Sequence, residues 1–97
     1  MYAVFEVKAP NVPKIDEVLQ DDLVSRQSIA IREASALGFP GLGRLVLVEG
    51  SERAIIRAGE LFQGIASRLE GPGAEAVYLA IKAEEDAAAS GMGLIFG

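Results

Sequence analysis

The chain has 97 residues, of which 51% are apolar, and a net charge of −5. At this length it can bury one core but not two domains with a cleft between them, so residues 1–97 are expected to form a single domain. It lacks Cys, His, Trp and Thr, which excludes disulfide stapling, thiol catalysis, the usual neutral-pH proton shuttle and ordinary zinc, copper or haem ligation.

In chain order, residues 2–8 alternate apolar and polar in places and stop at Ala9-Pro10-Asn11-Val12-Pro13, which predicts a strand followed by a turn. Past Pro13, the residues Ile15, Leu19, Leu23, Ala30, Ala34 and Leu37 recur near helical spacing up to Gly38. One or two helices are expected there, with a break near Ser25. Ile29-Ala30-Ile31 reads equally well as a short extended piece. Gly38-Phe39-Pro40-Gly41-Leu42-Gly43 is a loop. It leads into Arg44-Leu45-Val46-Leu47-Val48-Glu49, whose continuous, β-branched apolar run predicts a central strand buried on both faces.

At Gly50-Ser51-Glu52 the period changes. Ser51 is the expected N-cap of a helix that places Ile55, Ala58, Phe62, Ile65 and Leu69 on one face and stops at Gly71-Pro72-Gly73. From Ala74 a further helix carries Val77, Ala80, Ile81, Glu84 and Ala88 at helical spacing, with a strand over residues 76–82 as the alternative. The end, Leu94-Ile95-Phe96-Gly97, is a bare apolar tetrapeptide that needs burial, and its unpaired strand could add to another sheet. The order predicts an α+β, ferredoxin-like two-layer sandwich with helices on one face of a small sheet. The opposite face is then expected to pack against a second copy.

Nine basic and fourteen acidic side chains are spread evenly, without a basic patch, so no nucleic-acid partner is expected. No apolar stretch is long enough for a membrane span and no secretory leader is evident, which predicts a cytoplasmic protein without a membrane partner. The lack of Cys and the scarcity of Met and amides would suit a thermophilic source.

The most suggestive junction is Glu49-Gly50-Ser51, because a helix N-terminus offers unpaired N–H groups to an anion. The candidate ligand-binding set is Gly50, Ser51, Arg53 and Arg44. A simpler structural reading makes Ser51 a cap and Gly50 a tight turn, and Glu52 would repel a phosphate. The glycines at 38, 41 and 43 precede a strand, the reverse of a dinucleotide or P-loop order.

Glu84-Glu85-Asp86 and Asp21-Asp22 point apart around a helix, and Glu17 with Asp21 is half a site at best, so no metal is expected. Ser25, Ser28, Ser35, Ser51, Ser67 and Ser90 would need Lys8, Lys14 or Lys82 as a base, and none sits in a motif. Tyr2 and Tyr78 read as partly buried sheet and helix residues. Catalytic residues are therefore not assigned, and no cofactor is expected.

The leading functional expectation is a small noncatalytic module that forms a homo-oligomer through its sheet face or apolar C-terminal end and could hold a small anionic ligand. An enzyme or enzyme subunit with an interface site of carboxylates, Arg and Tyr is the second reading. An adaptor docking a partner through its C-terminal strand is the third.

Overall fold

The computed structural model describes the backbone of residues 1–96 and the side chains of residues 1–88. Strand β1 (Tyr2–Val7) runs into a 3-10 segment (Ala9–Lys14), where Pro10 and Pro13 preset the backbone, and then into a short helix α1 (Ile15–Leu19). Of the one or two helices expected between Pro13 and Gly38, only α1 forms, and it stops well before Ser25. The Asp21 carboxylate accepts the N–H groups of Leu23 and Val24, both at 3.1 Å, and offers the backbone a local alternative to the helical ladder. A single 3-10 turn (Val24–Arg26) follows. The extended alternative for Ile29-Ala30-Ile31 is the one adopted, as strand β2 (Ser28–Glu33).

A second 3-10 turn (Ala34–Leu37) closes on Gly38, at φ +91°. The expected loop then delivers strand β3 (Arg44–Glu49). Helix α2 (Glu52–Leu61) starts at its Ser51 cap, whose hydroxyl accepts the Ala54 N–H at 3.2 Å. It ends two turns earlier than the apolar spacing predicts. Ile65 and Ala66 both donate to the Phe62 carbonyl at 2.9 Å, and Gly64 takes a positive φ of 77°. This turn frees Ser67–Leu69 to form strand β4. Gly71-Pro72 opens helix α3 (Gly71–Phe96) where a stop was expected, since proline at a helix start forfeits only an N–H that has no partner there.

The four strands are ordered β2-β3-β1-β4 and every pairing is antiparallel. Together with the β-α-β-β-α-β order this is the ferredoxin-like arrangement. β3 is central, and residues 45–48 are all buried. The period-2 alternation sorts the sheet onto two faces. Ala3, Phe5, Val7, Val46 and Val48 pack under α1 and α2 with Ile15, Val18, Ile55, Ala58 and Phe62. Val4, Leu45 and Leu47 point the other way, against Ala74, Val77 and Ile81 of α3. The helix after β4 therefore lies on the face that was expected to meet a second copy. Its backbone is helical to Phe96, so the expected C-terminal strand is not formed. The expected burial of Leu94-Ile95-Phe96-Gly97 concerns side chains outside the described residues. Among the described residues no helix is long and apolar enough to cross a membrane.

One loop contact is tight enough to test. The Gly43 N–H donates to Glu6 Oε2 at 2.9 Å, and a Cβ on Gly43 would lie 2.6 Å from the Val7 carbonyl oxygen. That obstacle is main chain of a central strand and cannot swing aside. Gly43→Ala is expected to cost about 1–3 kcal/mol in urea unfolding, the usual range for overpacking. A cost below the fitting error would show that the loop can shift freely.

Candidate functional site

Position 2 of β1 lies directly opposite position 49 of β3, on the α3 face. Above them α3 supplies Tyr78 and Lys82, one turn apart on the same side of the helix. The Tyr2 and Tyr78 rings stack with centroids 4.1 Å apart and planes 15° from parallel. The Tyr78 hydroxyl donates to Glu49 Oε2 at 3.0 Å, and Lys82 Nζ sits 2.7 Å from Glu49 Oε1. The ammonium also stands 5.5 Å from the Tyr78 ring centroid, within cation–π range. One carboxylate thus binds both helix residues and pins α3 to the end of β3. Beside it, an open groove of about 530 Å³ is lined by Tyr2, Arg68, Leu69, Glu70, Pro72 and Glu75, among others. It touches the cluster only through Tyr2.

The electrostatics of the cluster oppose acid–base chemistry. The Lys82 hydrogen bond, with Tyr78 adding to it, holds the Glu49 carboxyl below its ordinary range. Hydrogen bonding to Glu49 raises both the Tyr78 phenol and the Lys82 ammonium. A catalytic phenolate or lysine base needs the opposite shift, toward neutrality. All three groups keep their ordinary charge at neutral pH, which suits an anchoring network.

Two more carboxylates are held low. Glu6 is lowered first by Lys8 and then by the Gly43 N–H. Asp21 is lowered first by the Val24 N–H and then by Arg57. A carboxyl with a depressed folded-state pKa stabilises the fold above its unfolded value and loses that contribution as pH falls through the folded one. Stability is therefore expected to decline from about pH 4.5 downward. The raised Tyr78 and Lys82 act oppositely, with stability lost as pH rises past about 10. Urea midpoints across pH check both limbs, and Glu49→Gln should make both shallower. An alkaline limb unchanged in Glu49→Gln would show that the cluster does not hold α3.

The four residues singled out in the sequence are not brought together. Gly50, Ser51 and Arg53 lie at the start of α2. Arg44 begins β3, about 20 Å away at 3.3–3.4 Å per residue, beyond the reach of a shared small ligand. Arg44 pairs with Glu33 and edges a separate hollow of about 310 Å³. Arg53 is exposed on the first turn of α2. Three N–H groups around the α2 start are engaged within the chain: Gly50 donates to the Met1 carbonyl at 2.9 Å, Ser51 to Gln27 Oε1 at 3.3 Å, and Ala54 to the Ser51 hydroxyl. A Cβ on Gly50 would meet the Gln27 side-chain amide, which would have to turn away and give up its bond to the Ser51 N–H.

Sequence reasoning did not assemble Tyr2, Glu49, Tyr78 and Lys82. The one local signal was the i, i+4 spacing of Tyr78 and Lys82. The ferredoxin-like α+β fold defines the class of this protein. Comparison with protein-family models, curated proteins and solved structures finds no match.

Proposed function

We propose that the chain is a small noncatalytic module that associates with copies of itself. The observation that carries this reading is in α3. After the buried Ile81 and half-buried Lys82, all of residues 83–88 are exposed. Six consecutive helical residues sweep more than a full turn, so no apolar face of the helix is buried there, and Glu84 touches the sheet only through its ion pair with Arg32. An isolated helix of about 12–15 residues is marginal in water, and the backbone stays helical to Phe96. The radius of gyration, 14.0 Å, exceeds the roughly 12.5 Å expected of a compact chain of this length, and the longest extent is 45 Å. A helix projecting from the core, in a chain half apolar, is stabilised when another subunit covers it. The Glu49–Tyr78–Lys82 network supports the noncatalytic part, because each of its three pKa shifts runs away from neutrality.

Light scattering on the full chain over a range of concentrations tests the reading, together with a version lacking residues 93–97. A defined oligomer that the truncation weakens supports it. A clean monomer at every concentration removes it and leaves the projecting helix to a different partner.

A further inference from the structure

The two sheet edges are built differently. β4 is three residues long with Arg68 at its centre, and a short, charged edge is a usual protection against adding another strand. β2 is six residues long and pairs with β3 in unbroken register from Ser28 opposite Glu49 to Glu33 opposite Arg44. It contains no proline, glycine, lysine or bulge. In an antiparallel ladder, alternate residues direct both main-chain groups toward the same neighbour. Ala34 donates to the Gly43 carbonyl at 3.2 Å, so even-numbered positions bond β3. The Ile31 carbonyl instead accepts from Arg32 Nη1 at 2.9 Å, which places it on the outer side. Ile29, Ile31 and Glu33 therefore present the open edge.

Resting on the self-association reading above, we propose that β2 pairs antiparallel with β2 of a second copy about a two-fold axis through Ala30, joining the two sheets. An axis perpendicular to the sheet keeps each face continuous, so only even-sum registers are allowed. Centring on Ala30 sets Ile29 against Ile31 of the second copy, Ala30 against Ala30, and Ser28 against Arg32. The isoleucines meet on the α1/α2 face, and their outward N–H and C=O groups form about four main-chain hydrogen bonds once the Arg32 guanidinium swings off the Ile31 carbonyl. Centring on Ile31 would set Ile29 against Glu33 and Ala30 against Arg32, apolar side chains facing charges. The Ala30 register is the complementary one.

The same symmetry places both α3 helices on one side of the joined sheet. Glu84 is held over β2 by its 2.6 Å ion pair with Arg32, so the exposed turns beyond it extend toward the second copy.

The chain has no cysteine, so a single introduced thiol reports the register. A non-hydrogen-bonded antiparallel pair has Cα atoms about 4.5 Å apart, within disulfide range. In the proposed register the two copies of position 31 are diagonal neighbours about 7–8 Å apart, too far for a disulfide. Mild oxidation is expected to convert most of Ala30→Cys to covalent dimer and little of Ile31→Cys. Cross-linking of Ile31→Cys instead would overturn the register. An unmodified chain that is oligomeric by mass while neither variant cross-links would overturn the interface and leave the self-association reading standing. A monomer in every case removes both.

Hydrogen exchange on the unmodified chain is independent of how the variants fold. The Ile29 and Ile31 amides should exchange about tenfold or more slowly above the association concentration than below it, as for amides taken into a ladder. Equally fast exchange of both at all concentrations would overturn the proposal.

Discussion

Phe62→Ala is expected to remove about 3–5 kcal/mol of stability, the range for truncating a fully buried phenylalanine. Phe62 is 1% exposed and its ring centroid lies 4.6 Å from that of Phe5, tilted by 30°. The residue joins three levels of the structure. Its backbone ends α2, its carbonyl accepts the two N–H groups that turn the chain into β4, and its ring fills the layer between α2 and the sheet. A chain of this size has roughly 5–15 kcal/mol in total, so the variant should unfold on the order of 15–30 °C lower. Phe5→Ala should behave alike. The double variant should show a coupling of about 0.5–1.5 kcal/mol from the aromatic pair. Thermal and urea unfolding check this, and a loss under about 1 kcal/mol would mean that the layer collapses into the vacated space.

Ile81→Ala is expected to cost about 2–5 kcal/mol, distributed differently. Ile81 is fully buried, whereas Leu79 on the same helix is 55% exposed, and Leu79→Ala should stay within about 0.5 kcal/mol. α3 is held to the sheet by Ala74, Val77 and Ile81 and by the tie of Tyr78 and Lys82 to Glu49. The α1/α2 layer contributes none of these contacts. The loss should therefore appear first as faster hydrogen exchange in α3 while β1 and β3 amides stay protected. Equal acceleration throughout would show that the two layers unfold as one unit.

Both expectations concern burial, and burial was the most legible part of the sequence. The run from Leu45 to Val48 identified the central strand because a short, β-branched apolar run bounded by glycines suits a strand covered on both faces. Ser51 identified the start of α2 because a cap is a contact three residues long. The misread elements depended on competition. Ile29-Ala30-Ile31 is too short for its period to decide between helix and strand. The Asp21 carboxylate, bonded to the Leu23 and Val24 amides, tips that balance. Ile65 and Leu69 fit the α2 stripe by spacing, yet Leu69 packs on the opposite side of the sheet because it pairs with Val4. That pairing joins residues 65 positions apart.

The candidate site shows the same division. Tyr2 and Tyr78 were legible as partly buried aromatics, but their stacking and the capture of Tyr78 and Lys82 by Glu49 required three distant segments to meet. Arg44 and Ser51, near in sequence, ended far apart because a strand advances over 3 Å with every residue.

The sequence alone determined the absence of thiol and imidazole chemistry, the central strand and the cap of α2, because composition and contacts a few residues long decide these. Tertiary structure decided that β2 and β4 exist, that α3 covers the second sheet face and projects beyond it, and that β2 is an open edge. These depend on which distant backbone groups pair, and every β-capable segment carries the same N–H and C=O groups.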